Sequence, residues 1–311
     1  MTRAVLLGTE PAVPAGREEV ADWVSLAKPG ITALICLVAV AGFLIASPRS
    51  VDLLRLGLLV LTGAAASAGS GMLNHYLDRD LDPRMRRTQD RPLPAARIQP
   101  HGAVAAVGTA LVGAGVVGAS LVLNPLTGIS ILLGAVTYVG IYTVWLKRRS
   151  SWNIVIGGFA GSAPALAGSA AAVGTWTGGA IALAVLVFLW TPPHFWSLAL
   201  LLRDDYARAG LPMLPRMDDP AFSGRVVVVS ATLLVVAGLG VGASGATAWP
   251  ASLLLLVLGA AFVAITTPLW RRVSRPSARR SFLFSGPYLL GVVAVVAANA
   301  WWLRLGLARG F

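Results

Sequence analysis

The chain has 311 residues, of which 56% are hydrophobic and 12% are charged, and its mean hydropathy is +0.75. Soluble domains carry about 25% charged residues, so the composition excludes a soluble globular protein and indicates a polytopic membrane protein. A net charge of +12 would suggest nucleic-acid binding in a soluble chain. Here the basic residues follow the membrane topology, so we expect no nucleic-acid partner. The single cysteine, Cys36, excludes a disulfide framework and a thiolate metal site.

Residues 1–27 are polar and of mixed charge, and they predict a flexible cytoplasmic tail ahead of a membrane domain at residues 28–311. Glu18 and Glu19 argue against a transit peptide, because such peptides are rich in Arg and poor in acidic residues. Lys28 then directly precedes the first apolar segment.

Nine apolar segments follow, each close to the length that a helix needs to cross a bilayer. They lie at about residues 30–47, 53–73, 102–122, 127–146, 152–172, 179–200, 224–243, 249–269 and 285–303. The sequence therefore predicts an all-α membrane protein with nine transmembrane helices.

The basic residues are distributed unevenly between the two sides of this predicted bundle. With nine spans, the N-terminus and the loops after the second, fourth, sixth and eighth helices share one side. That side carries 21 of the 25 Lys and Arg residues. Cytoplasmic loops are enriched in Lys and Arg, so we predict that this side faces the cytoplasm, in a bacterial plasma (inner) membrane.

The second apolar segment is directly followed by the polar motif NHYLDRDLD at residues 74–82. Asn74, Asp78 and Asp82 recur every fourth residue, so on a helix they line one face about 6 Å apart. Like charges at this spacing repel each other, and Mg²⁺, which takes carboxylate and phosphate oxygens, would offset that repulsion.

Six arginines surround or follow this motif and can bind an anion: Arg79, Arg84, Arg86, Arg87, Arg91 and Arg97. Metal ligands beside guanidinium groups predict a diphosphate site. The alternative is a polar helix end whose acids pair with these arginines in solvent. Ionisable groups at a membrane border favour the functional interpretation.

A second acidic pair, Asp204 and Asp205, follows the sixth helix. Four predicted helices separate it from the first motif. Because each helix crosses the membrane once, an even number of crossings places both motifs at the same membrane face. The pair is a candidate for a second metal, and the alternative is two solvated loop acids. Asp80 points about 200° away from Asp78 on a helix, and we predict that it is a surface acid in a salt bridge.

Two carboxylate clusters at one membrane face, flanked by arginines, resemble the UbiA-type superfamily of membrane prenyltransferases. The finer pattern is similar to the haem O synthases (protohaem farnesyltransferases) within it. The similar blocks are NHYLDRDLD at 74–82, MRRT at 85–88, RPLP at 91–94, NIVIGG at 153–158, WTPPHFW at 190–196 and DDYARAGLPMLP at 204–215. The resemblance covers about residues 28–216, and the later helices agree only in number and hydrophobicity.

The resemblance implies a nine-helix bundle that transfers the farnesyl group of farnesyl diphosphate to a vinyl group of haem B. As catalytic metal ligands, Asn74, Asp78 and Asp82 would hold one Mg²⁺, and Asp204 or Asp205 a second. The candidates for binding phosphate oxygens, haem propionates or lipid headgroups are Arg87, Arg91, Lys147, Arg148, Arg203 and Tyr206. The product, haem O, would serve haem-copper terminal oxidases, with haem A synthase as a downstream partner.

His194 is a further catalytic candidate, because the adjacent Pro192 and Pro193 are predicted to kink the sixth helix and free backbone carbonyls. A neutral imidazole can ligate haem iron or relay a proton. The alternative is a packed histidine that is satisfied by a freed carbonyl. His75 is a weaker candidate on a different face from the motif.

Two other functions are compatible with parts of the sequence. A UbiA-type enzyme that prenylates an aromatic or quinone precursor would keep the acidic motifs, but the WTPPHFW block counts against it. A transporter would use the acids for a coupling cation, and such sites lie near the bilayer midplane. Here the acids cluster at one membrane face, which favours an enzyme.

Overall fold

The computed structural model describes residues 15–47, 50–214 and 219–306, and over these residues the regular elements are all helical. The helices are α1 (Ala15–Leu26), α2 (Pro29–Ala46), α3 (Leu53–Leu77), α4 (His101–Val122), α5 (Pro125–Ala135), α6 (Asn153–Gly157), α7 (Phe159–Val173), α8 (Gly178–Leu201), α9 (Arg203–Arg208), α10 (Pro220–Ala243), α11 (Trp249–Thr266), α12 (Pro268–Arg271) and α13 (Arg275–Arg304). A π-helical stretch, the π-segment (Val136–Leu146), continues α5. Among the described residues, nine helices are long and apolar enough to span a membrane, so the predicted number is confirmed.

The predicted flexible tail is wrong over its described part, because residues 15–26 form the helix α1. Residues 1–14 lie outside the described residues. Leu26 at the end of α1 is fully buried and packs in one cluster with Met72 and Leu93. Asp22 also pairs with Arg97 at 2.8 Å. Apolar packing and this ion pair therefore hold α1 against the end of α3 and the loop that follows it.

Two of the predicted spans differ in detail. α13 begins at Arg275, about three helical turns before the predicted start at residue 285, and Ser274 caps its first turn. The fourth span changes from α- to π-helix at Val136, where hydrogen bonds join residues five apart. One of these bonds runs from the Lys147 amide to the Tyr142 carbonyl at 2.8 Å. Hydropathy cannot distinguish the two helix types.

The membrane helices close into a ring. Each span contacts the next one along the chain, and α13 at the end of the chain contacts α2 at its beginning. Within the ring, α2 packs against α7 and α8 against α13. A Cβ atom at Gly42 would overlap the backbone of Ala165, and one at Gly168 would overlap that of Ala39. Glycine at these positions therefore allows α2 and α7 to pack backbone against backbone.

The loops that follow α3 and α9 meet at one end of the ring. Leu81 and Met85 from the first loop form a buried cluster with Ala209 and Leu211 from the second. The side chain of Asn153, which begins α6, also donates to the Pro212 carbonyl at 3.4 Å. The two acidic motifs thus lie at the same end of the bundle.

Candidate active site

A cavity of about 660 Å³ lies inside the ring and is lined by α2, α3, α5, the π-segment, α7, α8 and α13. Its lining on α3 runs from Leu59 to His75, a helical length of about 24 Å. The end near the loops is polar and charged, whereas the lining deeper in the bundle is mainly Ile, Leu, Val, Ala and Gly. The cavity is therefore suited to an anionic group attached to a long apolar chain.

The three oxygen-bearing residues of the first motif meet at the polar end, although they do not share a continuous helix. α3 ends at Leu77, Asp78 forms its C-cap, and Asp82 begins a short 3-10 turn. The predicted single helix face is therefore wrong, as expected if carboxylates at that spacing repel each other. Asp78 and Asp82 nevertheless line the cavity with only 1% and 0% of their surface exposed.

Each of these three residues is held by a basic side chain. Lys28 Nζ donates to Asn74 Oδ1 at 2.5 Å, and Lys147 Nζ donates to Asp78 Oδ2 at 2.5 Å. Arg91 Nη1 donates to both carboxylate oxygens of Asp82 at 3.0 Å. Burying a carboxylate without a partner is costly, so these contacts allow the acids to lie in the bundle.

The amide of Asn74 is fixed in orientation by a chain of hydrogen bonds. The Thr143 hydroxyl donates to the Tyr138 carbonyl at 2.8 Å, so its oxygen is left to accept from Asn74 Nδ2 at 3.1 Å. Nδ2 also donates to Asp78 Oδ2 at 2.8 Å. The amide oxygen of Asn74 therefore faces Lys28. The π-segment supplies Tyr138 and Thr143, and π-helical turns often occur at functional sites.

These oxygens fit a magnesium ion. Asp78 Oδ1 is buried and has no hydrogen-bond partner among the described residues, so one carboxylate oxygen remains for a ligand. Mg²⁺ is usually bound by one or two carboxylates, with phosphate and water oxygens completing its shell, and Asp78 with Asp82 provides that number. In the described part of the chain, no group of three or more His, Cys, Asp or Glu residues is arranged to hold a metal.

Burial changes the acid–base behaviour of the polar end. It lowers the pKa of Lys28 to about 7, and the nearby positive charge of Arg91 acts in the same direction. Burial also raises the pKa of Asp82, although the positive charge of Arg91 opposes this. Four basic residues, Lys28, Arg87, Arg91 and Lys147, line the cavity beside two carboxylates. This surplus of basic groups favours an anionic ligand.

Sequence reasoning missed Lys28 as a site residue. Its backbone is left-handed, with φ 50° and ψ 60°, an uncommon conformation for a non-glycine residue before proline. Such strained residues occur often at functional sites. The chain has only two lysines, Lys28 and Lys147, and both reach the first motif. The scarcity of lysine was the available signal, although nothing in the sequence places Lys28 beside Asn74.

The predicted anion-binding residues divide into two groups. Arg87, Arg91, Lys147 and Tyr206 line the cavity. Arg148 instead donates to both carboxylate oxygens of Asp80 at 2.7 Å, on the exposed side of the loop. This pair confirms that Asp80 is a salt-bridging surface acid, and Arg148 lowers its pKa through the hydrogen bond.

The second acidic pair does not face the cavity in this structure. Asp204 is 77% exposed and lies 3.5 Å from Arg203, and Asp205 pairs with Arg208. Only the next residue, Tyr206, lines the cavity. The short helix α9 therefore directs Tyr206 into the cavity and Asp204 to the surface, while Asp205, which is 13% exposed, is paired with Arg208. The predicted second metal site is not assembled.

His194 on α8 lines the same cavity as Asn74, Asp78 and Asp82, although it is far from them in sequence. Its Nδ1 atom lies 2.6 Å from Ser285 Oγ on α13, so the hydroxyl, and not a freed carbonyl, satisfies it. The ring stacks on Trp190 with 4.5 Å between centroids. α8 continues through Pro192 and Pro193 to Leu201. His75 also lines the cavity, and its buried Nδ1 has no partner among the described residues.

Known proteins resemble this chain in sequence and in fold. The chain is 38% identical over 272 residues to a protein named protoheme IX farnesyltransferase from Sulfurisphaera tokodaii, covering 86% of this chain and 89% of the relative. A solved structure of digeranylgeranylglyceryl phosphate synthase matches with a TM-score of 0.75 and 16% identity, covering 91% of this chain and 99% of that one. A UbiA homolog from Archaeoglobus fulgidus, bound to GPP and Mg²⁺, matches with a TM-score of 0.66 and 18% identity, covering 89% and 99%.

The two solved structures establish the fold, since both share less than a fifth of their residues with this chain. The family follows from sequence. Residues 35–287, which are most of the chain, match the model of the UbiA prenyltransferase family. Together with the relative that is 38% identical along most of both lengths, this match shows that the chain belongs to the UbiA prenyltransferase family.

Proposed function

We propose that the protein transfers the farnesyl group of farnesyl diphosphate to a vinyl group of haem B and thereby makes haem O. The observation that carries this proposal is a single cavity with buried carboxylates and basic groups at one end, an apolar interior and a histidine on its wall. The relative named protoheme IX farnesyltransferase supports haem over an aromatic or quinone acceptor.

The polar end binds the diphosphate. Asn74, Asp78 and Asp82 are the residues that would hold Mg²⁺, and the metal, when bound, would neutralise charge on the leaving diphosphate. Lys28, Lys147 and Arg91 already lie against these three side chains and are placed to donate to phosphate oxygens. Arg87 adds a further cation at the cavity wall. Preorganised positive groups of this kind stabilise a leaving anion without moving a proton.

The apolar interior holds the isoprenoid and excludes water while the reaction proceeds. The carbon–oxygen bond to the diphosphate breaks and its electron pair leaves with the phosphate oxygen. The π electrons of the haem vinyl group then form the new carbon–carbon bond. One water molecule adds to the remaining cation and releases a proton, which produces the hydroxyl group of haem O. His194 lines this cavity, which supports a contact between its imidazole and the acceptor.

Asp204 and Asp205 remain candidates for a second metal only through a rearrangement of α9. Each now pairs with an arginine on its own helix, Arg203 and Arg208. A second metal with diphosphate would compete for these carboxylates and draw them toward Tyr206. Arg148 and Arg203 lie outside the cavity and are better placed to meet lipid headgroups.

The protein lies in a bacterial inner membrane, with its N-terminus and active site on the cytoplasmic side. The support is the excess of Lys and Arg on that side of the nine spans. A reporter fused after Arg87 should read cytoplasmic and one fused after Gly245 periplasmic, and the reverse pattern would refute this orientation. The product would pass to haem A synthase and to haem-copper oxidases.

The cellular test is the haem content of a strain that lacks haem O synthesis. Expression of this chain should restore haem O in extracted membranes. Expression of the Asp78→Ala variant at the same membrane level should not. Restoration by both proteins would refute the role of the polar end, and restoration by neither would refute the proposed acceptor.

A further inference from the structure

Ser285 on α13 contacts His194 on α8 through a hydrogen bond whose polarity can be assigned. The Ser285 hydroxyl donates to the Phe282 carbonyl at 2.5 Å, and the same oxygen lies 2.6 Å from His194 Nδ1. A hydroxyl has one hydrogen to donate. Because that hydrogen lies on the Phe282 carbonyl, Ser285 Oγ accepts from His194. The hydrogen of the neutral imidazole is therefore on Nδ1.

This assignment leaves the other ring nitrogen as an acceptor. A neutral imidazole carries one N–H donor and one lone pair, so Nε2 holds the lone pair. Within the parts of the chain that the structure describes, no residue makes a hydrogen bond to Nε2, and the ring borders the cavity. The Nε2 lone pair is therefore available to a ligand in the chamber.

The same serine also fixes the position of the ring. Trp190 Nε1 donates to the Ser285 carbonyl at 2.8 Å, and the Trp190 ring stacks on His194. Phe282 lies against the imidazole with 5.1 Å between ring centroids. Ser285 thus uses its hydroxyl oxygen to orient the imidazole and its carbonyl to hold the ring that packs on it.

We propose that Ser285 is a positioning residue that keeps His194 in the Nδ1–H tautomer and presents its Nε2 lone pair to the iron of the haem acceptor. This inference rests on the proposed function, and it assigns a role to a residue outside the acidic motifs. Metal-ligating histidines commonly donate their other N–H to a fixed acceptor, which orients the ring and raises its basicity. Recognition through iron would also favour haem over an iron-free porphyrin.

The test compares the binding of haem B and of iron-free protoporphyrin IX to the full-length protein in lipid nanodiscs. The variants are His194→Ala, Ser285→Ala and Ser285→Cys. Ser281→Ala is the matched control, because Ser281 is also a buried serine on α13 but bonds to Ser197 at 2.6 Å and not to His194. Affinity is read by titration, and iron ligation by the absorption and resonance Raman spectra of bound haem.

Loss of the residue that orients a metal-ligating histidine typically weakens metal binding about 10- to 100-fold. Ser285→Ala should therefore weaken haem binding about tenfold or more and shift the spectrum of bound haem toward that of His194→Ala. Its affinity for protoporphyrin IX should not change, because that ligand has no iron. Ser285→Cys should fall between wild type and Ser285→Ala, since a thiol is a weaker acceptor of similar shape. Ser281→Ala should match wild type in every measurement.

The inference is overturned if Ser285→Ala or Ser285→Cys keeps the wild-type haem affinity and spectrum. It is also overturned if Ser285→Ala weakens the binding of haem and of protoporphyrin IX equally, or if Ser281→Ala has the same effect as Ser285→Ala. Either result would show that the loss of affinity comes from disturbed helix packing and not from the iron contact. If His194→Ala leaves haem binding and farnesyl transfer intact, the iron contact is absent and only this inference fails. If wild type neither binds nor farnesylates haem, the proposed function fails as well.

Discussion

The ammonium group of Lys28 lies 2.5 Å from the amide oxygen of Asn74, across 46 residues of sequence. Lys147 and Arg91 contact Asp78 and Asp82 in the same way. The three residues that would hold a metal are thus each held by a basic side chain of the protein. Metal and diphosphate would have to replace these contacts together, with the metal taking the protein oxygens and the basic groups taking the phosphate.

Lys28→Met is expected to change the binding of metal and of diphosphate in opposite directions. The ammonium group competes with a cation for the Asn74 oxygen, so its loss should tighten the binding of Mn²⁺, used as a probe for Mg²⁺, in the absence of diphosphate. Its loss should weaken the binding of a non-hydrolysable farnesyl diphosphate analogue about tenfold or more, because a hydrogen bond to a charged group contributes about 1.5–3 kcal/mol. Electron paramagnetic resonance and calorimetry measure the two affinities.

Arg79→Met is the matched control for Lys28→Met. It removes one positive charge from an exposed side chain that stacks on Tyr76 and does not line the cavity. Its effect on both affinities should be small. If Lys28→Met weakened the metal and the diphosphate together, Lys28 would have only a structural role.

Two neighbouring residues, Lys147 and Arg148, are expected to respond differently to the same substitution. Lys147→Met removes a cation from Asp78 inside the cavity and should weaken diphosphate binding about tenfold or more. Arg148→Met breaks an exposed pair with Asp80, and such pairs contribute about 0–1 kcal/mol. Equal losses of diphosphate affinity in the two variants would contradict the assignment of Arg148 to the surface.

The aspartates of the first motif offer a similar comparison. Asp82→Asn should lower magnesium-dependent turnover about 100- to 1,000-fold, the usual effect of removing one electrostatic group from a preorganised site. Asp80→Asn, two residues away, should keep turnover within about a few-fold of wild type, since Asp80 is half exposed and pairs with Arg148 at the surface. Thermal unfolding in nanodiscs verifies that both variants are folded. Full turnover of Asp82→Asn would refute its role as a ligand.

Hydropathy predicted the number of helices, and the four-residue spacing predicted the contact of Asn74 with Asp78, because both follow from local sequence. Asp82 reaches the cavity from a 3-10 turn beyond the end of α3, which the spacing did not predict. The contacts of Lys28 and the π-helical turn depend on how distant helices pack, so composition could not reveal them. The direction of Asp204 and Asp205 was also beyond the sequence. It depends on the register of α9 against the bundle. Successive residues of a helix point about 100° apart, so a shift of one residue would turn a different side chain toward the cavity.

The central claim is that this cavity joins a farnesyl group to haem, and the products formed by the purified protein test it most directly. Wild-type protein in nanodiscs would receive farnesyl diphosphate, Mg²⁺ and equal amounts of haem B and 4-hydroxybenzoate, with Asp82→Asn as the inactive control. We expect mass spectrometry to find haem O, diphosphate release in equal amount, and no prenylated benzoate. Prenylated benzoate without haem O, or haem O formed equally by Asp82→Asn, would contradict the claim.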